Sequence, residues 1–264
     1  EVAQPLLFGF QVALTRMLQS FGLNAGATLG HSVGEVAAAW ASGALTLEQA
    51  VHVIYERSFA QAQTLGLGKM AAVGLSAQQM QQKLKALKIA DKVVLAGINS
   101  PNSVTISGDE QLLKDLEQQM LEENIFFRVL DLDYAFHSPY MDPIAKRVLK
   151  GLDNLKPAKA KHLRFISTVT GKELSGESLN AEYWWHNIRE PVEFSAAVNT
   201  LIADGFYVFV EIGSHPVLLR YLEQCLQNAE KSGKVITTIK RQEESVAAIY
   251  AAVYQAYLSG AVIN

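Results

Sequence analysis

Residues 28–40 read "TLGHSVGEVAAAW" and place a small serine, Ser32, between two glycines. A short apolar stretch, "GATLG" at 26–30, precedes the serine, and an alanine-rich helical pattern follows it from Val33 to about Gly43. A strand, a tight glycine turn and a helix in this order are typical of α/β proteins, and the pattern G-x-S-x-G is that of the nucleophile elbow. The stretch therefore predicts an α/β fold in which the Ser32 hydroxyl stands clear of the backbone at the end of a strand.

Composition limits the class of protein. The 264 residues are 49% apolar, which is enough for a sizeable core and a small second one. A net charge of −3 and a pI near 6.1 give no general attraction to nucleic acid or to an anionic membrane. No apolar run reaches the roughly 18 residues of a membrane span. The single cysteine, Cys225, cannot form an internal disulfide, so we expect it to be buried on an apolar helix face in a cytoplasmic protein.

The middle of the chain has a different order of predicted strands and helices from the rest. Residues 69–134 alternate strand, helix, strand, strand, helix, strand, with the strands "MAAVGL", "VVLAGI", "SVTIS" and "IFFRVLDL". Ser76 and Asp109 are predicted helix caps, and "NSPN" at 99–102 is a predicted hairpin turn. This order is the βαββαβ, ferredoxin-like arrangement. We expect a small ferredoxin-like subdomain at 69–137, inserted into a larger body.

The rest of the chain predicts an α/β-hydrolase-like body made of residues 1–68 and 138–240. Its apolar strands "RFISTV", "YVFVEI" and "KVITTI" are separated by helices and favour a parallel sheet covered on both faces. "TLEQ" at 46–49 is a capping box that starts the helix carrying Arg57. Residues 241–264 are predicted to be a C-terminal linker helix. The sequence starts in the middle of a helical pattern without Met, so we expect it to be a piece of a longer chain.

A serine nucleophile needs a base, and the chain has six histidines. His137 closes "DLDYAFHSPYMDPI", where the chain leaves the predicted subdomain, and His215 follows a body strand in "EIGSHPVL". Both are candidates, while the main-chain N–H of Val33 at the helix start is a natural oxyanion donor. The other four histidines are expected to have no part in proton transfer. His52 and His162 are expected to be solvated or hydrogen-bonded to a partner, and His186 lies in a turn-rich stretch. His31 is expected to point away from the serine.

Four motifs are similar to those of a known protein family. "GHSVGE", "ERS" at 56–58, "YAFHSPYM" and "VEIGSHPVL" resemble the acyltransferase domains of modular type I polyketide synthases, within the malonyl-CoA:acyl carrier protein transacylase family. The resemblance spans nearly the whole chain. It implies that Ser32 is the acylated nucleophile and His137 the general base, with no carboxylate third member. It also implies that a backbone carbonyl of a supporting loop, Gly213, Ser214 and His215, orients the histidine.

The resemblance also assigns the substrate positions. Arg57 matches the arginine that grips the free carboxylate of a dicarboxylic acyl group, a role suited to a planar, bidentate cation. Val33 and the bulky Phe136 favour malonyl over methylmalonyl, whereas Tyr134 favours methylmalonyl. The remaining matches are the substrate-binding positions His31 and Asn99 and the pocket supports Asn187 and Arg189.

The implied reaction is the transfer of a malonyl group from malonyl-CoA to the phosphopantetheine thiol of an acyl carrier protein, through an acyl-serine ester. No bound cofactor or metal is expected, and the expected partners are the carrier and neighbouring synthase domains such as a ketosynthase. The stretch 145–164 has seven Lys or Arg against one Asp and is a candidate surface for the acidic carrier.

Two alternatives remain open on the sequence. The first is an α/β-hydrolase such as a thioesterase, in which His215 would be the base. The second is a catalytically impaired docking fragment. It is suggested by the family's glycine- and glutamine-rich loop, a source of the second oxyanion donor, which would lie before residue 1. Loss of one such donor typically costs roughly a hundredfold to a thousandfold in rate.

Overall fold

A computed structural model describes residues 2–161, 163–240 and 245–263 of the chain. The helices are α1 Ala3–Ser20, α2 Gly34–Ala41, α3 Leu47–Ala62, α4 Ala77–Ala86, α5 Glu110–Glu122, α6 Ala145–Gly151, α7 Ala181–Arg189, α8 Phe194–Ala203, α9 Leu219–Asn228 and α10 Ser245–Leu258, with 3₁₀ turns at Pro139–Ile144 and Gly176–Ser178. The strands are β1 Ala27–Leu29, β2 Lys69–Val73, β3 Val93–Ser100, β4 Ser103–Gly108, β5 Phe127–Val129, β6 Arg164–Ile166, β7 Val208–Glu211 and β8 Lys234–Thr237. The predictions for His162 and for residues 241–244 of the linker lie outside the described residues.

The middle of the chain forms one antiparallel sheet with strand order β3-β4-β2-β5. α4 and α5 bury an apolar face against it, including Met80 and Leu113. The caps are those predicted: the Ser76 hydroxyl accepts from the N–H of Gln79, and the Asp109 carboxylate accepts from Leu112. The chain order βαββαβ within one sheet agrees with the ferredoxin-like prediction, while the proposed boundaries at 69 and 137 stay a prediction.

The strands of the body pair in parallel, as predicted for an α/β fold. β1 pairs with β6, and β7 pairs with β8, and within the described residues no ladder joins the two pairs. Ile166 and Phe209 lie in one apolar cluster. The division into two pairs is a detail that the sequence did not predict. An apolar run reports burial on both faces, and two short parallel pairs that share a core satisfy that pattern as well as one sheet does.

Small side chains allow α2 to pack closely behind the glycine turn. Val36 and Ala39 have no exposed surface, and α2 contacts α1, α3 and β1. α3 begins at the predicted capping box, in which the Thr46 hydroxyl accepts from the N–H of Gln49. Trp184 and Phe165 fill the same core. The turn before α2 is therefore held on a dense apolar base.

The segment after α7 joins the two parts of the molecule. The N–H of Ile98 donates to the carbonyl of Val192 at 2.8 Å, and the N–H of Val192 donates to the carbonyl of Ala96 at 2.9 Å. Residues 190–192, which we call the bridging segment, thus bring Val192 alongside β3 at the edge of the small sheet. In the part of the chain that the structure describes, no helix is long and apolar enough to cross a membrane.

Candidate active site

The turn that carries Ser32 has the geometry of a nucleophile elbow. Ser32 has a φ of 53°, a left-handed conformation that is strained for a residue with a side chain. A Cβ on Gly30 would come within 2.2 Å of the Glu35 nitrogen, whereas a Cβ on Gly34 would meet only Gln11 at an ordinary 3.6 Å. The first glycine is therefore required by close backbone approach, and no steric contact requires the second one.

The hydroxyl of Ser32 lies against an imidazole whose other nitrogen is also bonded. Ser32 Oγ is 2.7 Å from His137 Nε2, and His137 Nδ1 is 2.9 Å from the main-chain oxygen of Glu190. A carbonyl oxygen can only accept, so Nδ1 carries the proton and Nε2 presents its lone pair to the hydroxyl. This arrangement can remove a proton from Ser32 without a carboxylate in the site.

The predicted supporting loop does not orient His137. The structure assigns that role to the carbonyl of Glu190 in the bridging segment, and Ser214 and His215 are exposed. The prediction for Gly213, Ser214 and His215 is therefore wrong. The chain turns directly after α7, next to His137, and a main-chain carbonyl has no side chain by which a sequence could reveal it.

Burial keeps the imidazole neutral. His137 is 4% exposed, and desolvation, helped by the nearby Arg57 cation, lowers its pKa to about 3, against the opposing effect of the Glu190 carbonyl. A neutral imidazole at neutral pH is the form that accepts a proton. The electrostatic environment therefore keeps His137 in the unprotonated form that can accept a proton.

Arg57 is buried beside the serine, with only 2% of its surface exposed. One terminal nitrogen lies 3.0 Å from Ser32 Oγ, Nε donates to Asn187 Oδ1 at 3.3 Å, and the other terminal nitrogen donates to Gln61 Oε1 at 3.0 Å and to Gln4 Oε1. Among the described residues no acidic side chain is hydrogen-bonded to Arg57. A buried guanidinium held by neutral oxygens is suited to receive an anion next to Ser32.

Glu35, the last letter of "GHSVGE", is a site residue that the sequence reasoning missed. It has no exposed surface; Oε1 accepts from the main-chain N–H of Thr168 at 2.5 Å, and Oε2 accepts from Asn187 Nδ2 at 2.5 Å. Burial raises its pKa to about 7, and these hydrogen bonds oppose the rise. An acidic residue in the first turn of a helix is usually an exposed partner of the helix dipole, so its position gave no sign of burial.

The other predicted substrate positions lie in two further groups. His31 Nε2 is 2.8 Å from Asn99 Oδ1, and Asn99 Nδ2 donates to Thr105 Oγ1 at 2.9 Å, which ties the elbow to the small sheet. Tyr134 and Phe136 stack, with ring centroids 4.7 Å apart and an interplanar angle of 12°. Both rings stand on the short segment that leads to His137.

The remaining candidates have identifiable places. Val33 N–H lies one residue before the first main-chain bond of the turn, from Gly34 N to His31 O at 3.0 Å, and no main-chain acceptor for it is found in the described residues. Arg189 pairs with Asp142 at 2.5 Å. Cys225 is buried, as predicted. His52, His186 and His215 are exposed, and the described residues contain no group of three or more His, Cys, Asp or Glu that could hold a metal ion.

A serine at a nucleophile elbow, a neutral histidine and a buried arginine are an arrangement suited to nucleophilic chemistry at the serine. The acyl transferase domain family matches residues 1–262, and the chain belongs to it. It is 34% identical over 266 residues to the erythronolide synthase EryA2 of Saccharopolyspora erythraea, covering 100% of this chain and 7% of that protein. It is 32% identical over 265 residues to the pikromycin synthase component PikAIII of Streptomyces venezuelae, covering 100% of this chain and 16% of that protein.

Solved structures of acyltransferase domains have the same fold as this chain. The acyltransferase domain from module 8 of the salinomycin polyketide synthase superposes with a TM-score of 0.95 at 33% identity, over 99% of this chain and 61% of that one. A loading acyltransferase from the avermectin synthase gives a TM-score of 0.90 at 29% identity, over 96% of this chain and 79% of that one. The chain thus has the fold of a polyketide synthase acyltransferase domain and spans a small fraction of the synthases it matches.

Proposed function

We propose that this chain transfers a malonyl group from malonyl-CoA to the phosphopantetheine thiol of an acyl carrier protein, through an ester on Ser32. The observation that carries the proposal is the pair of contacts at Ser32 Oγ. This oxygen lies 2.7 Å from His137 Nε2 and 3.0 Å from a terminal nitrogen of Arg57. A base and a carboxylate-binding cation on one nucleophile suit a dicarboxylic acyl thioester.

In the first half-reaction, Ser32 Oγ attacks the thioester carbonyl while His137 Nε2 takes the hydroxyl proton. The N–H of Val33 stabilises the oxyanion. The C–S bond then breaks, the imidazolium gives its proton to the departing CoA thiolate, and an acyl-serine ester remains. In the second half-reaction the carrier thiol gives its proton to His137 and attacks the ester, and Ser32 recovers the proton.

Arg57 selects the substrate class in this proposal. The free carboxylate of the acyl group takes the place of the neutral oxygens of Gln4 and Gln61, which now face one terminal nitrogen of the guanidinium. Phe136 and Val33 favour malonyl over methylmalonyl because an α-methyl group needs room, whereas Tyr134 is the residue that argues the other way. One methyl group is worth about 1 to 3 kcal/mol of discrimination, so some loading of methylmalonyl is compatible with the proposal.

The partners follow from the same chemistry. An acidic carrier protein docks on the basic stretch 145–164, in which Lys146 and Arg147 are exposed. A ketosynthase neighbour and a cytoplasmic location belong to the same proposal. No bound cofactor enters either half-reaction, because the serine and the histidine supply the nucleophile and the proton transfers.

The test is intact-protein mass spectrometry after brief incubation with malonyl-CoA, methylmalonyl-CoA and acetyl-CoA in competition. We expect a malonyl adduct that is absent in Ser32→Ala. Arg57→Ala is expected to shift the adducts toward acetyl by tenfold or more, because about 1.5 to 3 kcal/mol is typical for hydrogen bonds to a charged group. Release of the acyl group to water in preference to the carrier would favour a thioesterase. Failure of all three substrates to modify Ser32 would contradict transfer.

A further inference from the structure

We propose that Glu35 is a positioning residue for dicarboxylic acyl groups: it fixes the amide of Asn187, and through that amide it fixes the guanidinium of Arg57. The inference rests on the proposed function and adds a residue that determines selectivity. Glu35 Oε2 accepts from Asn187 Nδ2 at 2.5 Å, and Asn187 Oδ1 accepts from Arg57 Nε at 3.3 Å. The three side chains thus form one continuous chain of hydrogen bonds that ends beside Ser32.

The direction of this chain is set at Glu35. Both of its oxygens face N–H donors, from Thr168 and from Asn187, and a carboxylate without a proton is the side chain that accepts on both sides. Asn187 must therefore present its NH₂ group to Glu35 and its oxygen to Arg57. The same NH₂ group donates to the main-chain oxygen of Ser32 at 3.3 Å, so the elbow is tied to the same amide.

The spacing of the charges also matters. A carboxylate bonded to the terminal nitrogens of Arg57 would occupy the donors that a substrate carboxylate needs. Here one neutral amide separates Glu35 from the guanidinium, and only Nε is used for the contact. Glu35 still favours the cationic form of Arg57, which burial opposes. The arrangement therefore keeps a buried cation charged and aligned while a terminal nitrogen faces Ser32 Oγ.

The variant Glu35→Gln separates this role from simple filling of space. The introduced amide has one acceptor and one donor group in a place where two acceptors are needed. If the oxygen of the introduced glutamine accepts from Thr168 N–H, its NH₂ group faces Asn187. The amide of Asn187 must then rotate to present its oxygen to the glutamine. This rotation turns the NH₂ group of Asn187 toward Arg57 Nε, and the hydrogen bond to Arg57 is lost. We expect the ratio of malonyl to acetyl loading of Ser32 to fall at least fivefold, through a higher KM for malonyl-CoA with a smaller change in kcat.

A second substitution should restore the chain. In Glu35→Gln with Asn187→Asp, the introduced glutamine donates to the introduced aspartate, whose other oxygen accepts from Arg57 Nε. We expect the double variant to recover at least half of the lost selectivity, measured on a logarithmic scale, whereas Asn187→Asp alone sets two carboxyl groups against each other and lowers it. Independent effects would instead add, and additive losses would overturn the proposal.

Glu211→Gln is the matched control. Glu211 is also a buried glutamate, 8% exposed, whose Oε1 accepts from the N–H groups of Val217 and Leu218, at 2.7 and 2.9 Å. Its substitution removes a buried carboxylate at the end of β7, and we expect no change in the loading ratio. An equal fall in the ratio for Glu211→Gln and Glu35→Gln would show a general loss of stability and would overturn the proposal.

A readout without turnover separates this inference from the proposed function. The Nε–H of Arg57 is buried and bonded, so its exchange with solvent, followed by ¹⁵N-detected NMR, should be slow in the wild type. We expect it to be at least tenfold faster in Glu35→Gln and slow again in the double variant. Unchanged exchange would overturn the positioning role even if Ser32 is acylated. Restored exchange with no acylation by any substrate would uphold it and contradict the transferase.

Discussion

Ser32 and His137 share an uncommon backbone conformation: their φ angles are 53° and 58°, and their side chains meet at 2.7 Å. Each conformation is strained for a residue with a side chain. Three other described residues besides glycine have positive φ, and each follows the end of a helix, where such a conformation is common: Lys88, Asn124 and Glu230. Helix ends do not explain the positive φ angles of Ser32 and His137, and the surrounding core holds these two residues in place.

Removal of the base should abolish most of the acylation. We expect His137→Ala to lower the rate of Ser32 acylation by about a hundredfold to ten-thousandfold, which is the usual contribution of a general base. His215→Ala should leave it within about twofold, because His215 is exposed and outside the Ser32–His137–Glu190 chain of contacts. The rate of adduct formation in rapid-quench mass spectrometry measures both. A loss confined to His215→Ala would instead identify a hydrolase.

A smaller side chain at position 136 should widen the acyl site. We expect Phe136→Ser to lower the ratio of malonyl to methylmalonyl loading by about tenfold, since one methyl group is worth about 1 to 3 kcal/mol. Competition between the two CoA esters measures the ratio. Phe126→Ser is the control, because Phe126 is 61% exposed. An unchanged ratio in Phe136→Ser would show that the ring does not exclude the α-methyl group.

Charge reversal on α6 tests the carrier surface. Arg147 is paired with Glu56 at 3.4 Å and lies over the ring of Phe59, whereas Lys146 is exposed and has no ion-pair partner among the described residues. We expect Lys146→Glu to raise the KM for the carrier several-fold and to reduce its dependence on salt, with self-acylation by malonyl-CoA unchanged. Lys85→Glu, on α4, is the control. Equal effects of both variants would point to net charge rather than to this surface.

The low pKa of His137 makes a prediction about pH. Burial and Arg57 lower this pKa from 6.5 to about 3, so the imidazole stays unprotonated well below its ordinary range. The rate of Ser32 acylation should therefore stay level between pH 7 and pH 5, where an unperturbed histidine would lose activity. Single-turnover acylation across this range measures it. A tenfold fall per pH unit below 6.5 would contradict the neutral base.

The same shift has a consequence for stability. Between the two pKa values the unfolded chain binds a proton at this histidine that the folded chain does not. The contribution of His137 to the free energy of unfolding is therefore present above pH 6.5 and decreases as the pH falls toward 3. The free energy of unfolding of the wild type relative to His137→Ala, measured with urea, should therefore fall as the pH decreases from 6.5 toward 3.

Local signals predicted much of this fold. The caps at Thr46, Ser76 and Asp109 were found because a short polar side chain before an apolar helical pattern has a direct physical effect on the first turn. The contact of Ser32 with His137 was anticipated through motif resemblance. What a short stretch cannot reveal is which strands pair, so the division of the body's parallel strands into two pairs was not predicted.

The rest of the site depends on distant parts of the chain. Gln4 reaches Arg57 from α1, and amide side chains on helices are most often solvated. The carbonyl of Glu190 belongs to the backbone, which every residue has. Glu35 was quoted with the elbow, but only its burial distinguishes it from an ordinary first-turn acid. Tertiary packing, which the sequence patterns do not encode locally, decides all three.

The bridging segment connects the small sheet to the carbonyl that orients His137. Val192 exchanges hydrogen bonds with Ala96 and Ile98 on β3, and two residues earlier the carbonyl of Glu190 holds the Nδ1 proton of His137. The edge of the small sheet and the group that orients the base are thus joined by the three residues 190–192. The position of the imidazole relative to Ser32 therefore depends on how the small sheet is seated against the body, and not only on the residues that line the acyl pocket.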